Sequence, residues 1–318
     1  MQIVRHPDPH APKLQGSVVT MGNFDGIHLG HQALIDGAVE DARSSRMPSV
    51  VLTFEPHPLQ VLAPERAPKM LLSHKDKMEL LRILGVDVVM IQHFDLQFAK
   101  LAAEEFVRVV LLDRLKAAKI WVGKDLRFGQ GRKGGVDDLL RWGTEAGFQV
   151  GIVEPILVDG VRVSSSRIRQ LITDGKVDGA RSLLGRYHFV SGRVVTGHQR
   201  GHDLGFPTAN ISGRTEVLPA DGIYATLLHL GERTLLSVSS VGLNPTFGAG
   251  PRTIESHILN FHEDIYGAQV KLAFVKKIRD EKKFASTDEL ANQIRGDVAS
   301  AQVIFETSHL AGQRILTF

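Results

Sequence analysis

Two hydrophobic rhythms share this chain of 318 residues, and the change between them near residue 186 limits what it can fold into. From residue 17 to about 156, short apolar runs alternate with helical patterns. Residues 17–21, 50–54, 86–91, 119–122 and 149–153 read as strands. Between them Leu34, Ile35, Ala38, Val39 and Ala42 recur at helical spacing, and 75–84 and 102–117 also read as helices. This alternation predicts an α/β domain, a Rossmann-like parallel sheet covered on both faces, with ligands beyond the carboxyl ends of its strands. After a short helix over 178–184 the pattern becomes apolar-polar alternation over 189–196, 223–230, 234–241, 253–261 and 269–278, with no helices between. That spacing predicts a small antiparallel β-barrel. Gly231-Glu232 suits a two-residue hairpin loop with glycine first. Ser286 and Glu289 form a capping box for a terminal helix whose expected buried stripe is Leu290, Ile294, Val298 and Ala301. The expected domains are therefore 1–186 and 187–318, each long enough for its own core.

Composition narrows the function classes. Lys+Arg 38 against Asp+Glu 35 leaves a net charge of +3 with the signs interspersed, so no nucleic-acid footprint stands out. The absence of cysteine excludes disulfides, thiolate zinc sites and Cys nucleophiles, and it suits a reducing, cytoplasmic setting. The first ten residues carry charges and prolines without an apolar core, and no run approaches ~18 apolar residues, so neither secretion nor membrane spanning is expected.

The chemistry concentrates in a few stretches. Gly22-Asn23-Phe24-Asp25-Gly26-Ile27-His28-Leu29-Gly30-His31 joins the first strand to the first helix. Its glycines permit a sharp turn and close backbone approach, and the N–H groups of the helix's first turn attract anions. His28 and His31, three apart, can face one volume in front of that helix and donate to phosphate oxygens. Alone, such a pair reads equally as one capping and one packed ring. Phe54-Glu55-Pro56-His57-Pro58 must leave the ladder because of its prolines, which places a loop on the ligand side. Residues 122–135 are rich in glycine and basic groups and read as a mobile cationic loop that closes over phosphates or is simply solvated. Ser164, Ser165 and Ser166 precede Arg167, Ile168 and Arg169, placing hydroxyls and guanidinium groups at a helix start.

In the second half, Gly197, Arg200, Gly201 and Gly205 read as a phosphate loop that runs into Thr208 and Asn210. Two apart on an extended segment, these present oxygen ligands to one side, as a hard cation such as Mg²⁺ wants. Glu255 lies in an otherwise apolar strand, where a carboxylate either faces solvent or takes a proton from an attacking hydroxyl.

Residues 22–31 resemble the HxGH signature of nucleotidylyltransferases in the form seen in prokaryotic FAD synthetases, and residues 163–169 resemble the ISSTxIR signature of that superfamily. The FxPHP sequence at 54–58 occurs in the same family. The resemblance implies nucleotide contacts at Gly22, Asn23, Phe24, Gly30, Asp125, Ser164, Ser165, Ser166, Arg167 and Arg169, with His28 and His31 catalytic. It places Phe54, Pro56, His57, Pro58 and Arg127 at the flavin or nucleotide. GFPTAN at 205–210, NPTFG at 244–248, the acidic strand residue and DIYG at 264–267 follow the order seen in riboflavin kinases. There the Thr and Asn hold the Mg-nucleotide and the Glu is the general base, here Thr208, Asn210 and Glu255. The implied substrates are ATP, riboflavin and FMN, with a divalent cation and no nucleic acid or membrane partner; the sequence does not fix the oligomeric state. Two rivals remain: an aminoacyl-tRNA synthetase, for which no KMSKS-like loop or basic stripe is present, and a flavin-binding regulator with degenerate sites. Retention of both imidazoles, PTAN and the Glu argues against degeneracy.

Overall fold

The computed structural model describes residues 1–6, 14–196, 205–213, 215–243 and 252–308. Packing separates two compact units, one of Met1–Lys69 with His74–Ser164, the other of Met70–Ser73 with Ser165 onward.

The first unit runs β1 (Gln2–His6), β2 (Ser17–Met21), α1 (Leu29–Ser45), β3 (Ser49–Glu55), α2 (Pro58–Leu62), α3 (His74–Ile83), β4 (Val88–His93), α4 (Ala103–Phe106), β5 (Ala117–Gly123), α5 (Val136–Ala146) and β6 (Gln149–Val153), then a small hairpin of β7 (Leu157–Val158) and β8 (Val161–Arg162). Its six-stranded sheet has the order β1-β4-β3-β2-β5-β6. Every pairing in it is parallel. The central strands are buried almost throughout, as a sheet covered on both faces requires. Because the chain builds outward from β2 through β3 to β4 and then returns to β5, the strand order reverses beside β2. Ligands gather at such a reversal.

The indole of Trp121 is wedged between two glycines. A Cβ on Gly37 of α1 would lie 3.0 Å from the ring, and one on Gly151 of β6 would lie 2.5 Å from it. Trp121 Nε1 donates to Asp41 of α1 at 2.6 Å, so helix and sheet are fastened through one side chain.

The helix expected over 102–117 is shorter and of mixed type. After α4 the chain makes a π-helical stretch over Val107–Arg114, with Leu115 N donating to Val110 O at 3.1 Å, an i→i+5 bond. Lys116 turns the chain at φ 51° and β5 begins at Ala117. The wider turn brings Val107, Val110, Leu111 and Leu115 together into the core.

In the second unit, α6 (Ser165–Thr173) and α7 (Val177–Leu184) precede β9 (His188–Val195), β10 (Thr208–Gly213), β11 (Gly222–Leu230), β12 (Arg233–Leu243), β13 (Arg252–Ile258), β14 (Gln269–Arg279) and α8 (Thr287–Thr307). The strands form a closed barrel in the order β10-β13-β12-β11-β14-β9. All six pairings are antiparallel. Gly231 opens the two-residue loop between β11 and β12 at φ 60°, a conformation glycine reaches without penalty. Inside the barrel wall Thr226 meets Ser237 at 2.8 Å and Ser239 at 2.7 Å, and Ser239 donates to Ser256 at 2.9 Å, so these buried hydroxyls are paired. Val177 of α7 belongs to the barrel's own hydrophobic core.

Ser286 caps α8, accepting from Glu289 N at 3.2 Å. The expected stripe holds at Ala301, but Leu290, Ile294 and Val298 are half-buried, and the buried positions are Ala291, Asp297, Ala301 and Phe305. The helix is rotated toward Asp297 because Arg279 of β14 grips that carboxylate with two bonds, 2.8 and 2.7 Å.

Candidate functional site

The turn after β2 is held in a strained shape. Phe24 (φ 49°), Gly26 (φ 86°) and Ile27 (φ 39°) all adopt left-handed backbone. Phe24 and Ile27 are buried, and their packing holds conformations that bulky residues otherwise avoid. His28 then caps α1: its Nδ1 accepts from His31 N at 3.2 Å. A neutral ring that accepts at Nδ1 carries its proton at Nε2, so the cap itself prepares a donor at the other nitrogen. The rings of His28 and His31 stack with centroids 3.6 Å apart. Phe24 meets His31 edge-on at 5.3 Å. Gly30 leaves room for this stack, since a Cβ there would lie 3.3 Å from the His28 ring. Capping and catalysis are thus compatible duties of one imidazole.

The 54–58 stretch is only partly a loop. β3 continues through Glu55 and α2 starts at Pro58, capped by His57, whose Nδ1 accepts from Leu59 N at 3.2 Å. The Asn23 side-chain amide lies 3.0 Å from His57 Nε2, bringing this stretch beside the β2 turn. Phe54 begins an aromatic chain through Phe94 (5.9 Å), Phe98 (5.7 Å), Phe106 (6.2 Å), Phe128 (5.6 Å) and Trp142 (6.5 Å). Sequence reasoning placed only Phe54 among these at the site, because rings from so many segments share no spacing.

Residues 123–135 are more closed than their composition suggests. Phe128 and Gly134 exchange backbone hydrogen bonds of 3.1 and 3.0 Å. The Arg127 guanidinium lies where a Cβ on Gly135 would sit. Asp125 is paired with Arg162 of β8. Lys77 of α3 is a further residue that the sequence reading missed: its Nζ donates to Asn23 O at 3.3 Å and to Thr53 Oγ1 at 3.4 Å. Burial pushes its ammonium below the usual lysine range, against the opposite pull of Asp25 and Glu55.

In the second signature Ile168, Leu171 and Ile172 bury one face of α6, while Ser166 and Arg167 are exposed. The break between compact units falls between Ser164 and Ser165. Ser165 to Arg169 therefore belong to the second unit and His28 and His31 to the first.

The barrel carries the other constellation. Thr208 pairs with His257 and Asn210 with Glu255 across β10 and β13. Alternation puts these four side chains on one face, half-buried, while Ala209, Ile211, Ile254, Ser256 and Ile258 are buried on the other. His257 Nδ1 donates to Pro207 O at 2.9 Å, steadying the approach to β10. A cleft of about 360 Å³ opens beside Thr208, lined also by Val194, Ser256, Ile258, Asp264 and Tyr266; Asn210 and Glu255 lie outside its lining. Gly205 takes φ 81°. Gly197, Arg200 and Gly201 and the 244–248 motif lie outside the described residues.

Residues 10–167 match the FAD synthetase family and residues 184–305 the riboflavin kinase family. A bifunctional riboflavin kinase/FMN adenylyltransferase from Escherichia coli (strain K12) is 40% identical, over 96% of this chain and 98% of its own length. The protein of that name from Haemophilus influenzae is 35% identical, over 96% and 100%. Among solved structures, one described as a macrolide-efflux protein from Streptococcus pneumoniae superposes with a TM-score of 0.84 at 33% identity, covering 95% of this chain and 99% of that one. Among the described residues here no helix is long and apolar enough to cross a membrane.

Proposed function

The chain belongs to the family of bifunctional riboflavin kinase/FMN adenylyltransferases, and from that premise we propose how its residues divide the work. It phosphorylates riboflavin to FMN and adenylylates FMN to FAD, with ATP as donor in both reactions. We assign adenylyl transfer to residues 1–186 and kinase chemistry to 187–318, although α7 lies mostly between the two matched segments.

For adenylyl transfer, a phosphate oxygen of FMN bonds to the α-phosphorus of ATP, and the bond to the bridging oxygen of pyrophosphate breaks. His28 donates from Nε2 to the oxygens that gain charge, His31 stands against it, and the first N–H groups of α1 add their dipole. Gly22, Asn23, Phe24 and Gly30 shape that turn. Ser164, Ser165, Ser166, Arg167 and Arg169 grip the departing pyrophosphate. Phe54, Pro56, His57, Pro58, Asp125 and Arg127 contact the nucleotide or flavin.

For the kinase step, Glu255 takes the proton of the terminal ribityl hydroxyl, whose oxygen bonds to the γ-phosphorus as ADP leaves. Gly197, Arg200, Gly201 and Gly205 wrap the phosphates. Thr208 and Asn210 offer oxygen donors on one face, and no group of three His, Cys, Asp or Glu able to hold a metal occurs among the described residues. That donor set fits Mg²⁺ carried largely by nucleotide phosphates and water, and not a dedicated protein cage. When bound, the cation neutralises phosphate charge. The lack of cysteine supports a cytoplasmic setting.

The observation that carries the kinase assignment is the pairing of Asn210 with Glu255, with Thr208 on the same face. Glu255→Gln is expected to lower FMN formation from riboflavin by about 10²–10⁴-fold while leaving FAD formation from supplied FMN intact. His28→Asn with His31→Asn is expected to do the reverse, with FMN accumulating. Chromatography of the flavins reads both, and loss of both activities from either variant overturns the division.

A further inference from the structure

Lys77 has no duty in the reactions just described, yet its position is unusual for a helical lysine. Its ammonium, partly buried at the carboxyl ends of β2 and β3, rests on the Asn23 carbonyl at 3.3 Å and the Thr53 hydroxyl at 3.4 Å. Thr53, buried in β3, also directs its hydroxyl at the same Asn23 carbonyl at 3.4 Å. The three groups close a triangle around one peptide oxygen. The Asp25 and Glu55 carboxylates favour the charge, and Glu55 is itself paired with Arg5.

As a device for stability this is poor. Drawing an ammonium out of water for two long bonds to neutral acceptors recovers little of the desolvation cost. As a device for orientation it is effective. A peptide unit is planar and trans, so its N–H points opposite to its C=O. A cation that holds the Asn23 carbonyl on one side therefore aims the Phe24 N–H to the other. An anion-binding turn needs that arrangement, with carbonyls turned away from the anion and amides toward it. Asn23 is also where two parts of the site meet, because its side chain reaches His57 while its backbone leads through Phe24 and Ile27 to His28.

We propose that Lys77 is a positioning residue for adenylyl transfer, holding the Asn23 carbonyl so that the Phe24 amide and the His28–His31 pair stay aimed at the triphosphate. The proposal rests on reading that turn as the adenylyltransferase site. Lys77 touches no reacting atom in this role. Its removal blurs the pose of groups that act in the transition state, which lowers kcat more than it weakens substrate binding.

The test uses the full chain. Wild type, Lys77→Met, Lys77→Arg, Thr53→Val and His28→Asn are compared in steady-state FAD formation with ATP and FMN varied separately. FMN formation from riboflavin by the same preparations reads the second unit, and the fluorescence of Trp121 and Trp142 controls for an intact first unit. Lys77→Met is expected to lower kcat for FAD formation at least roughly tenfold, with both KM values within about threefold and kinase activity unchanged. Lys77→Arg is expected to recover part of that kcat, and Thr53→Val to show a smaller loss in the same direction. If Lys77→Met does not fold, the Lys77→Arg and Thr53→Val losses decide. Wild-type kcat in active protein of lowered Tm overturns the proposal, because it makes the lysine merely structural. A raised KM at unchanged kcat overturns it as well, because it makes Lys77 a substrate ligand. Full FAD formation by His28→Asn instead sinks the reading of the turn, whatever the lysine variants do.

Discussion

His188, at the start of β9, is buried in the barrel unit, with Nε2 donating to Val217 O at 3.1 Å and its ring stacked on Phe274 at 6.0 Å. Burial pushes its pKa down to about 4; the carbonyl bond works against this and Arg186 adds to it. Between the unfolded value near 6.5 and the folded value near 4, the unfolded chain holds more protons. Stability present above pH 6.5 is therefore lost as pH falls through that window, and His229, also pushed down to about 4, acts in the same direction. Thermal unfolding followed by circular dichroism is expected to show Tm dropping between about pH 6.5 and 5, less steeply in His188→Gln, which keeps a donor for Val217 but cannot titrate. An unchanged slope in that variant contradicts the assignment. At this scale the sequence was legible where local pattern carries the information. Thr208 and Asn210 share a face because a strand alternates, and His28 sits where a turn meets a helix. Lys77 was not legible, because its partners Asn23 and Thr53 come from segments 54 and 24 positions away.

The Trp121 wedge shows what holds an element in place. With Gly37 beneath α1 and Gly151 on β6, the helix approaches the sheet closely enough for the indole to reach Asp41. Gly151→Ala drives a methyl to within 2.5 Å of the ring, and no flexible side-chain tip is there to give way. The expected cost is about 1–3 kcal/mol, read as a lower denaturant midpoint of the first unit at unchanged slope. Most elements could be read from hydrophobic pattern, because the buried strands β2, β3 and β4 are short, mostly apolar runs between helical patterns. The π-helical stretch escaped because its buried positions, Val107, Val110, Leu111 and Leu115, are spaced as an α-helix also spaces them, so the pattern reads only as helix. β1 escaped because only Val4 of its five residues is buried, and its pairing with β4 depends on a strand more than eighty positions away.

For the whole molecule, the boundary is where sequence pattern and packing part company. Alternation begins after residue 186, but the compact unit built on the barrel begins at Ser165. Periodicity records the type of element, whereas packing records what covers it, and α7 covers β9 and β14 with Val177, Ala180, Leu183 and Leu184 buried. A fragment of 187–318 loses that cover. At about 1.5–3 kcal/mol for each fully buried Val or Leu, it is expected to unfold at lower denaturant than a fragment of 165–318 and to retain less kinase activity. Equal midpoints would return the boundary to residue 186.

The chain has two tryptophans, and both, the wedged Trp121 and Trp142 at the end of the aromatic chain, belong to the first unit. All three tyrosines, Tyr187, Tyr224 and Tyr266, belong to the second. Selective excitation of indole fluorescence therefore reports on the FAD-forming half alone. A single unlabelled sample carries its own spectroscopic means of telling which half melts first.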